Sequence, residues 1–331
     1  MTGRLFAIAA ILLAGVIALV AQPQGRGPNL SPEERNLVGN IMSATDPSAN
    51  MKAVAELIRK YPKTEVRPRV AQAAADQIAS LKDPAQQLTF AQQYQTIFNQ
   101  PAEEELIAPT LIAAYADTNQ PDDAFTKGAD FLSRHPDSLR VLVELLSIGT
   151  TQAKKQNGKF VAQSIQYGIH AAELFEADKK PAELDDARWK TYKTTTLPGL
   201  YQSLGLLYYA SGKRSEAKAR YMKASQLAPS DPFNFVMLAA MSNQEYQDAA
   251  KHYQAMSAGP ARDDELKKVQ SMLDQVIDAY AHAIAISEGN AALQQVRQQY
   301  LSDFETYYKY RHNGSTDGMQ QLIDKYKLAK P

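Results

Sequence analysis

The stretch LGLLYYASGKRSEAKARYMKASQLAP, residues 204–229, places small residues, aromatic residues and one proline at regular intervals. Two antiparallel helices approach each other closely only where the side chains between them are small. We therefore expect Gly205 and Ala217 to face each other across a helical hairpin. Gly212 can adopt the left-handed conformation that ends a first helix. Pro229 ends the second helix, because a proline disfavours helical geometry in the residue before it.

A second stretch of the chain repeats this spacing. Leu111, Tyr115, Ala124, Phe131 and Pro136 of residues 105–138 stand at the intervals that separate Leu204, Tyr208, Ala217, Ala224 and Pro229 of residues 198–231. The shared pattern resembles the tetratricopeptide repeat (TPR), a helical hairpin of about 34 residues. The resemblance implies an all-α fold, an α-solenoid of antiparallel TPR-like helical hairpins. Residues 105–138 depart from the pattern at Gly128, where the repeat usually has a large aromatic residue.

Prolines mark the starts of further helices. Proline is favoured in the first helical turn, where its missing amide hydrogen would have no partner. Such prolines occur in Ser31-Pro32, Asp46-Pro47, Asp83-Pro84, Gln100-Pro101, Gln120-Pro121, Lys180-Pro181 and Asp231-Pro232. Apolar residues between these marks recur every three or four positions, and no alternating run indicates a strand. Residues 243–256 are interpreted as the second helix of another hairpin.

The N-terminus indicates export. Arg4 precedes an unbroken apolar run over residues 5–21 that ends in the small residue Ala21, as in a secretory signal peptide. The alternative for residues 1–21 is an uncleaved membrane anchor. We expect an exported protein, periplasmic or extracellular, whose membrane contact is limited to this segment if it is not cleaved.

Three further segments complete the predicted organisation. Residues 22–30 form a flexible lead-in rich in glycine and proline. Residues 31–258 hold the TPR-like repeats. Residues 259–331 form C-terminal capping helices, because the open end of such an array has to shield its apolar face.

The composition of the chain limits its chemistry. Its 331 residues carry 36 basic and 36 acidic side chains, so there is no basic excess for a nucleic-acid surface. The absence of cysteine excludes disulfides, thiolate metal sites and cysteine nucleophiles. The histidines are scattered without metal-ligand spacing, and no nucleotide-binding or hydrolase motif occurs. The sequence predicts no catalytic residue, no cofactor and no metal, and therefore a protein that is not an enzyme.

The TPR resemblance also implies a binding surface. Such arrays bind a protein or peptide in a concave groove lined mainly by the first helix of each hairpin. The residues that the resemblance places there are Gln202, Leu206 and Tyr209 in one hairpin and Pro109, Ala113 and Ala116 in the other. The lysines and asparagines with which TPR domains clamp a carboxylate are missing at these positions. An extended peptide or a helix of a partner protein is therefore favoured.

Three questions have alternative answers. Residues 300–310 are rich in tyrosine, and we favour a buried stripe of Tyr300, Phe304 and Tyr308 over a binding surface. Trp189 is interpreted as a cover over an apolar groove rather than as a ring that stacks on a ligand. The alternative to a binding scaffold is a helical enzyme that acts on a cell-envelope polymer. Carboxylates converging in a deep pocket would favour the enzyme, and a long open apolar groove the scaffold.

Overall fold

A computed structural model describes residues 28–182 and 184–327. These residues form helices joined by short loops, without a strand, so the predicted all-α fold is confirmed. The predicted signal segment, residues 1–21, lies outside the described residues, as does most of the lead-in. Contacts divide the chain into two compact units, Met1–Glu183 and Leu184–Pro331, and each is described by itself.

The first unit has eight α-helices among its described residues. They are α1 (Pro32–Ser43), α2 (Pro47–Lys60), α3 (Arg67–Ser80), α4 (Pro84–Ile97), α5 (Pro101–Asp117), α6 (Pro121–Arg134), α7 (Leu139–Lys154) and α8 (Val161–Glu176). Each helix packs against the next one in the chain, and α1, α3, α5 and α7 also contact one another in succession. Stacked hairpins of a helical repeat pack in this way, with the odd-numbered helices as the first helices of their hairpins.

Side-chain caps explain where these helices begin. Ser31 Oγ accepts a hydrogen bond from the Glu34 amide at 3.1 Å, and the Ser31 amide donates to the Glu34 carboxylate at 3.4 Å. The carboxylates of Asp46 and Asp83 accept amide hydrogen bonds at the starts of α2 and α4. Each satisfies an amide that has no partner within the helix. The predicted proline starts of α1, α2, α4, α5 and α6 are confirmed.

A buried ion pair joins α3 to α5. The Arg67 guanidinium donates through Nε to Glu103 Oε1 at 2.5 Å and through Nη2 to Oε2 at 3.0 Å. Tyr94 donates its hydroxyl to the Glu103 carbonyl at 3.2 Å. Both charged side chains are almost fully buried, so the Arg67 guanidinium and the Glu103 carboxylate neutralise each other where little water reaches them. The pair therefore fixes the register between two successive first helices.

Two glycines in the first unit stand where neighbouring helices come closest. A Cβ atom added at Gly128 in α6 would lie 2.6 Å from a methyl carbon of Leu145 in α7. A Cβ at Gly149 in α7 would lie 1.8 Å from Ser164 Oγ and 2.6 Å from Ser164 Cβ in α8. The departure of Gly128 from the repeat pattern thus has a physical reason, because a large ring there would occupy the place of Leu145.

The second unit has six α-helices among its described residues. They are α9 (Asp186–Ala210), α10 (Arg214–Leu227), α11 (Pro232–Ala255), α12 (Pro260–Ile286), α13 (Gln294–Arg311) and α14 (Met319–Asp324). One apolar core draws its side chains from α11, α12, α13 and α14. The predicted division into repeats up to residue 258 and a cap from residue 259 falls in the loop between α11 and α12, and it stays a prediction.

The hairpin of α9 and α10 has the expected outline. Gly212 has φ = 75° and ends α9 in the left-handed conformation, as predicted. Ala217 and Tyr221 are fully buried on α10. The expected partner of Gly205 is wrong, however. A Cβ at Gly205 would meet ring carbons of Tyr221 first, at 2.8 to 3.1 Å, so this glycine makes room for an aromatic ring rather than for Ala217.

Two predicted helix boundaries in the second unit are wrong. The helix expected to begin at Lys180-Pro181 begins at Asp186, because the Asp185 carboxylate accepts the Arg188 amide at 2.8 Å and lysine has no acceptor to offer. Residues 243–256 are not a separate second helix. They continue α11, which runs unbroken over Pro232–Ala255, since no glycine or proline follows Pro232 within it.

Candidate functional site: a tyrosine-lined face of the second unit

The predicted groove residues of the second unit lie on α9. Gln202 Nε2 donates to Asp231 Oδ2 at 2.9 Å and to Asn234 Oδ1 at 3.1 Å, so this side chain joins α9 to the start of α11. Leu206 is partly buried. Tyr209 is 46% exposed, an unusual exposure for a large ring that is held on a helix. Of the three residues, Tyr209 is therefore the most accessible to a partner.

The predicted groove residues of the first unit lie on α5. Pro109, Ala113 and Ala116 are each partly buried on this helix. Their small side chains offer little contact area and no hydrogen-bonding group. Their assignment to a partner surface stays a prediction.

Hydrogen bonds connect α13 directly to α11. The Tyr307 hydroxyl accepts from Gln247 Nε2 at 2.6 Å and donates to Asn243 Oδ1 at 3.0 Å. The Tyr300 hydroxyl donates to the Val236 carbonyl at 3.0 Å. These bonds hold two tyrosine rings in fixed positions. We call the surface formed by Tyr209, Asn243, Tyr246, Gln247, Tyr300, Asp303, Tyr307 and Tyr310 the tyrosine face.

Ring contacts make the tyrosine face rigid. Tyr246 and Tyr307 meet edge to face, with their centroids 5.5 Å apart. Beneath the surface, the buried ring of Tyr280 stacks on Tyr300 at 4.7 Å and on Tyr307 at 6.1 Å. Tyr310, at the end of α13, is 75% exposed. The face thus combines rings held by packing and hydrogen bonds with exposed rings at its ends, a composition that is common at the centres of protein interfaces.

Burial keeps three phenols of the tyrosine face, those of Tyr246, Tyr300 and Tyr307, protonated. Burial raises the pKa of Tyr300 to about 12, and the nearby Asp303 carboxylate and the Tyr209 phenol act in the same direction. Burial also raises the pKa of Tyr307, against the opposing effect of its hydrogen bonds to Gln247 and Asn243. It raises the pKa of Tyr246 as well, where the neighbouring phenols of Tyr307 and Tyr310 add to the effect. At neutral pH each of these hydroxyls is a hydrogen-bond donor as well as an acceptor. These three rings are therefore neutral, and the Asp303 carboxylate lies near two of them, Tyr300 and Tyr307.

A separate cleft of about 590 Å³ lies between α10, α11 and α12. Asp274 and Asp278 line its wall. Carboxylates in a pocket are what the enzyme alternative from the sequence requires. Both carboxylates are engaged, however. Asp274 pairs with the Arg311 guanidinium at 2.7 and 3.2 Å, and Asp278 accepts the Tyr326 hydroxyl at 2.5 Å. Within residues 28–182 and 184–327, no three acidic or histidine side chains are grouped as a metal site.

The predicted buried stripe on the tyrosine-rich helix is confirmed for Phe304 and Tyr308, and whether the other tyrosines of this helix form a binding surface stays a prediction. Phe304 and Tyr308 are buried and Tyr300 is partly buried against the same core. Trp189 is buried on α9, and the choice between its two interpretations stays a prediction. The part of the chain that the structure describes contains no helix of the length and apolarity that a membrane crossing requires.

No protein-family model matches the chain, and no curated protein does. Among solved structures, the crystal structure of a tetratricopeptide repeat protein from Parabacteroides merdae ATCC 43184 is similar, at 10% identity and a TM-score of 0.42, covering 89% of this chain and 98% of that one. Within each unit, consecutive helices pack against one another as all-helical hairpins, and in this respect the chain is TPR-like. The helical-repeat architecture predicted from residues 204–229 is thereby confirmed.

Sequence reasoning missed the α11 part of the tyrosine face. Asn243, Tyr246 and Gln247 were assigned to a second helix, which would have turned them away from the first-helix surface. The absence of glycine and proline between Pro232 and Gly259 was the signal for a single long helix. Asp303 was missed because its significance depends on tyrosines from other helices.

Proposed function

We propose that this protein is an exported TPR-like scaffold that binds another protein or a peptide on the tyrosine face. The observation that carries the proposal is the exposure of Tyr209 and Tyr310 at the ends of a surface whose other rings are fixed. Tyrosine offers a large contact area at a low cost in side-chain entropy, because it has only two rotatable bonds. Rings that are already held in place reduce that cost further.

Export is part of the proposal. It is supported by the arginine and the apolar run at the N-terminus, and it implies a partner in the periplasm or outside the cell. Fractionation should recover the protein outside the cytoplasm, beginning near Gln22 if the signal is cleaved. A soluble cytoplasmic product that retains Met1 would contradict this part of the proposal.

The binding surface is tested by capture of partners from envelope extracts with three forms of the protein. Tyr209→Ala combined with Tyr310→Ala removes the two most exposed rings of the face. Met222→Ala is the matched control, since Met222 is 49% exposed on the second helix α10. We expect the wild-type protein and the Met222→Ala variant to capture the same partner and the double variant to lose it.

Circular dichroism and thermal unfolding would show that the double variant is folded, because truncating exposed side chains changes stability by only about 0.5 kcal/mol. Equal capture by the double variant and the wild-type protein would show that the tyrosine face is not the binding surface. Failure of the wild-type protein to capture any protein or peptide reproducibly would contradict the scaffold function itself.

A further inference from the structure

The tyrosine face contains one carboxylate without a cationic partner. Asp303 lies on α13 between Tyr300 and Tyr307, and it is partly buried. Its Oδ1 accepts a hydrogen bond from Gln299 Nε2 at 2.9 Å. The other described groups that interact with it are the phenols of Tyr280, Tyr300 and Tyr307, all of them neutral. The carboxylate therefore lies in a partly buried, aromatic environment with no cationic partner among the described residues.

Two other acidic residues of the second unit, Asp274 and Glu305, lack this combination. Asp274 is paired with Arg311, and Glu305, two residues from Asp303 on the same helix, is paired with Lys309. Both pairs lie on exposed surface, where water and salt screen a charge. Asp303 is distinguished by neutral neighbours and by the rings around it. A partner that brings a positive charge to it would gain an ion pair and aromatic contacts at the same time.

Arginine fits this site better than the other natural cations. Its planar guanidinium stacks on tyrosine rings, and it donates several hydrogen bonds in one plane to a carboxylate. It is also more weakly hydrated than the ammonium of lysine, so it loses less when it leaves water. The hydroxyls and amides of Tyr307, Asn243 and Gln247 border the site and can bond the main chain of a peptide on either side of such a residue.

We propose that Asp303 and the tyrosines around it bind an arginine side chain in an extended segment of the partner protein. This inference rests on the proposed scaffold function and specifies the chemistry of the partner. The arginine guanidinium lies against the rings of the tyrosine face and pairs with Asp303, while the flanking residues of the segment contact Tyr209 and Tyr310.

Peptide pools test the proposal without knowledge of the natural partner. Nine-residue fluorescent peptides carry arginine, lysine or citrulline at the centre and random uncharged residues elsewhere. Citrulline matches arginine in shape and lacks its charge. Fluorescence anisotropy of each pool is measured against the purified protein. We expect the arginine pool to bind about tenfold more tightly than the citrulline pool, the sum of one cation–π contact and one partly exposed ion pair.

Variants assign the preference to the carboxylate. Asp303→Asn keeps the shape of the side chain and should reduce the preference for arginine to less than about twofold, while Asp303→Glu should retain most of it. Glu305→Gln removes a charge from the opposite side of the same helix and should leave the preference unchanged. Raising the salt concentration from about 0.05 to 0.5 M should weaken binding of the arginine pool and leave the citrulline pool unaffected.

Equal binding of the arginine and citrulline pools by the wild-type protein would overturn the inference. So would a preference for arginine that survives in Asp303→Asn, or tighter binding of the lysine pool than of the arginine pool. Absence of binding by every pool would also overturn it. If the pools bind equally but lose affinity on Tyr209→Ala, the scaffold function stands and only the arginine specificity is wrong. Capture of partners from extracts judges the scaffold function independently.

Discussion

Adding a single methyl group at Gly149 tests the close packing of α7 against α8. In Gly149→Ala the new Cβ would lie 1.8 Å from Ser164 Oγ and 2.6 Å from Ser164 Cβ. The hydroxyl can rotate away, but the Cβ of Ser164 is fixed to its helix. Because carbon atoms in contact are normally about 3.5–4.0 Å apart, the helices must separate by about 1 Å or the backbone must deform.

The expected change in the free energy of unfolding for Gly149→Ala follows from two opposed effects. Overpacking of this kind costs about 1–3 kcal/mol, and contact with a Cβ atom places it near the upper end of that range. Replacing glycine by alanine within a helix contributes about 1 kcal/mol in the other direction. We expect Gly149→Ala to lower the free energy of unfolding by about 2 kcal/mol. Gly39→Ala is the matched control in the same unit, because nothing lies within 4 Å of its Cβ, and it should stabilise the protein by about 0.5–1 kcal/mol.

A second substitution isolates the steric contact. Ser164→Gly alone should cost about 2 kcal/mol, from its helix propensity and from the loss of its hydrogen bond to the Leu145 carbonyl. In the Gly149→Ala, Ser164→Gly double variant the collision is absent, and the loss should be about 1 kcal/mol. The two sites are therefore coupled by about 3 kcal/mol in favour of the double variant.

The assay is urea unfolding followed by circular dichroism for the four variants and the wild-type protein. Fluorescence of Trp189, which lies in the second unit, reports the unfolding of that unit in the same samples. Additive effects of Gly149→Ala and Ser164→Gly would refute the close contact between α7 and α8. A Gly149→Ala variant as stable as Gly39→Ala would refute it as well.

Further predictions concern a buried ion pair, a buried phenol and a buried imidazole. Glu103→Gln leaves the Arg67 guanidinium buried beside a neutral group, so urea unfolding should show a destabilisation of about 3–5 kcal/mol. A loss under about 1 kcal/mol would show that water reaches the pair. Tyr221→Phe removes a buried hydroxyl that has no hydrogen-bond partner among the described residues, so it should leave the free energy of unfolding unchanged or raised. Tyr221→Ala should lower it by about 3–5 kcal/mol, and equal losses for the two variants would contradict this view of the hydroxyl. Burial lowers the pKa of His282 below 6.5, so the unfolded chain takes up the proton more readily and thermal stability should fall as the pH drops through 6.5. His282→Phe should remove that part of the pH dependence, and an unchanged pH profile would contradict the assignment.

The sequence alone determined the hairpin architecture, because that information is local. Gly212 ends a helix through its own backbone conformation, and Asp46 and Asp83 begin helices by bonding amides two or three residues away. The spacing of apolar and small residues assigns each residue to a helix face without reference to the rest of the chain. These signals were sufficient for the all-α fold and for the starts of α2 and α4, but not for the start of α9, which was expected at Lys180-Pro181.

Only the tertiary structure decided which faces meet and what they form together. The contact of Gly205 with Tyr221, rather than with Ala217, depends on how the two helices of the hairpin cross. The tyrosine face depends on residues far apart in the chain, since Tyr307 and Asn243 are separated by 64 positions and yet share a hydrogen bond. A helical period specifies the side of a helix on which a residue lies, but not the helix that packs there or the charge that remains unpaired between them.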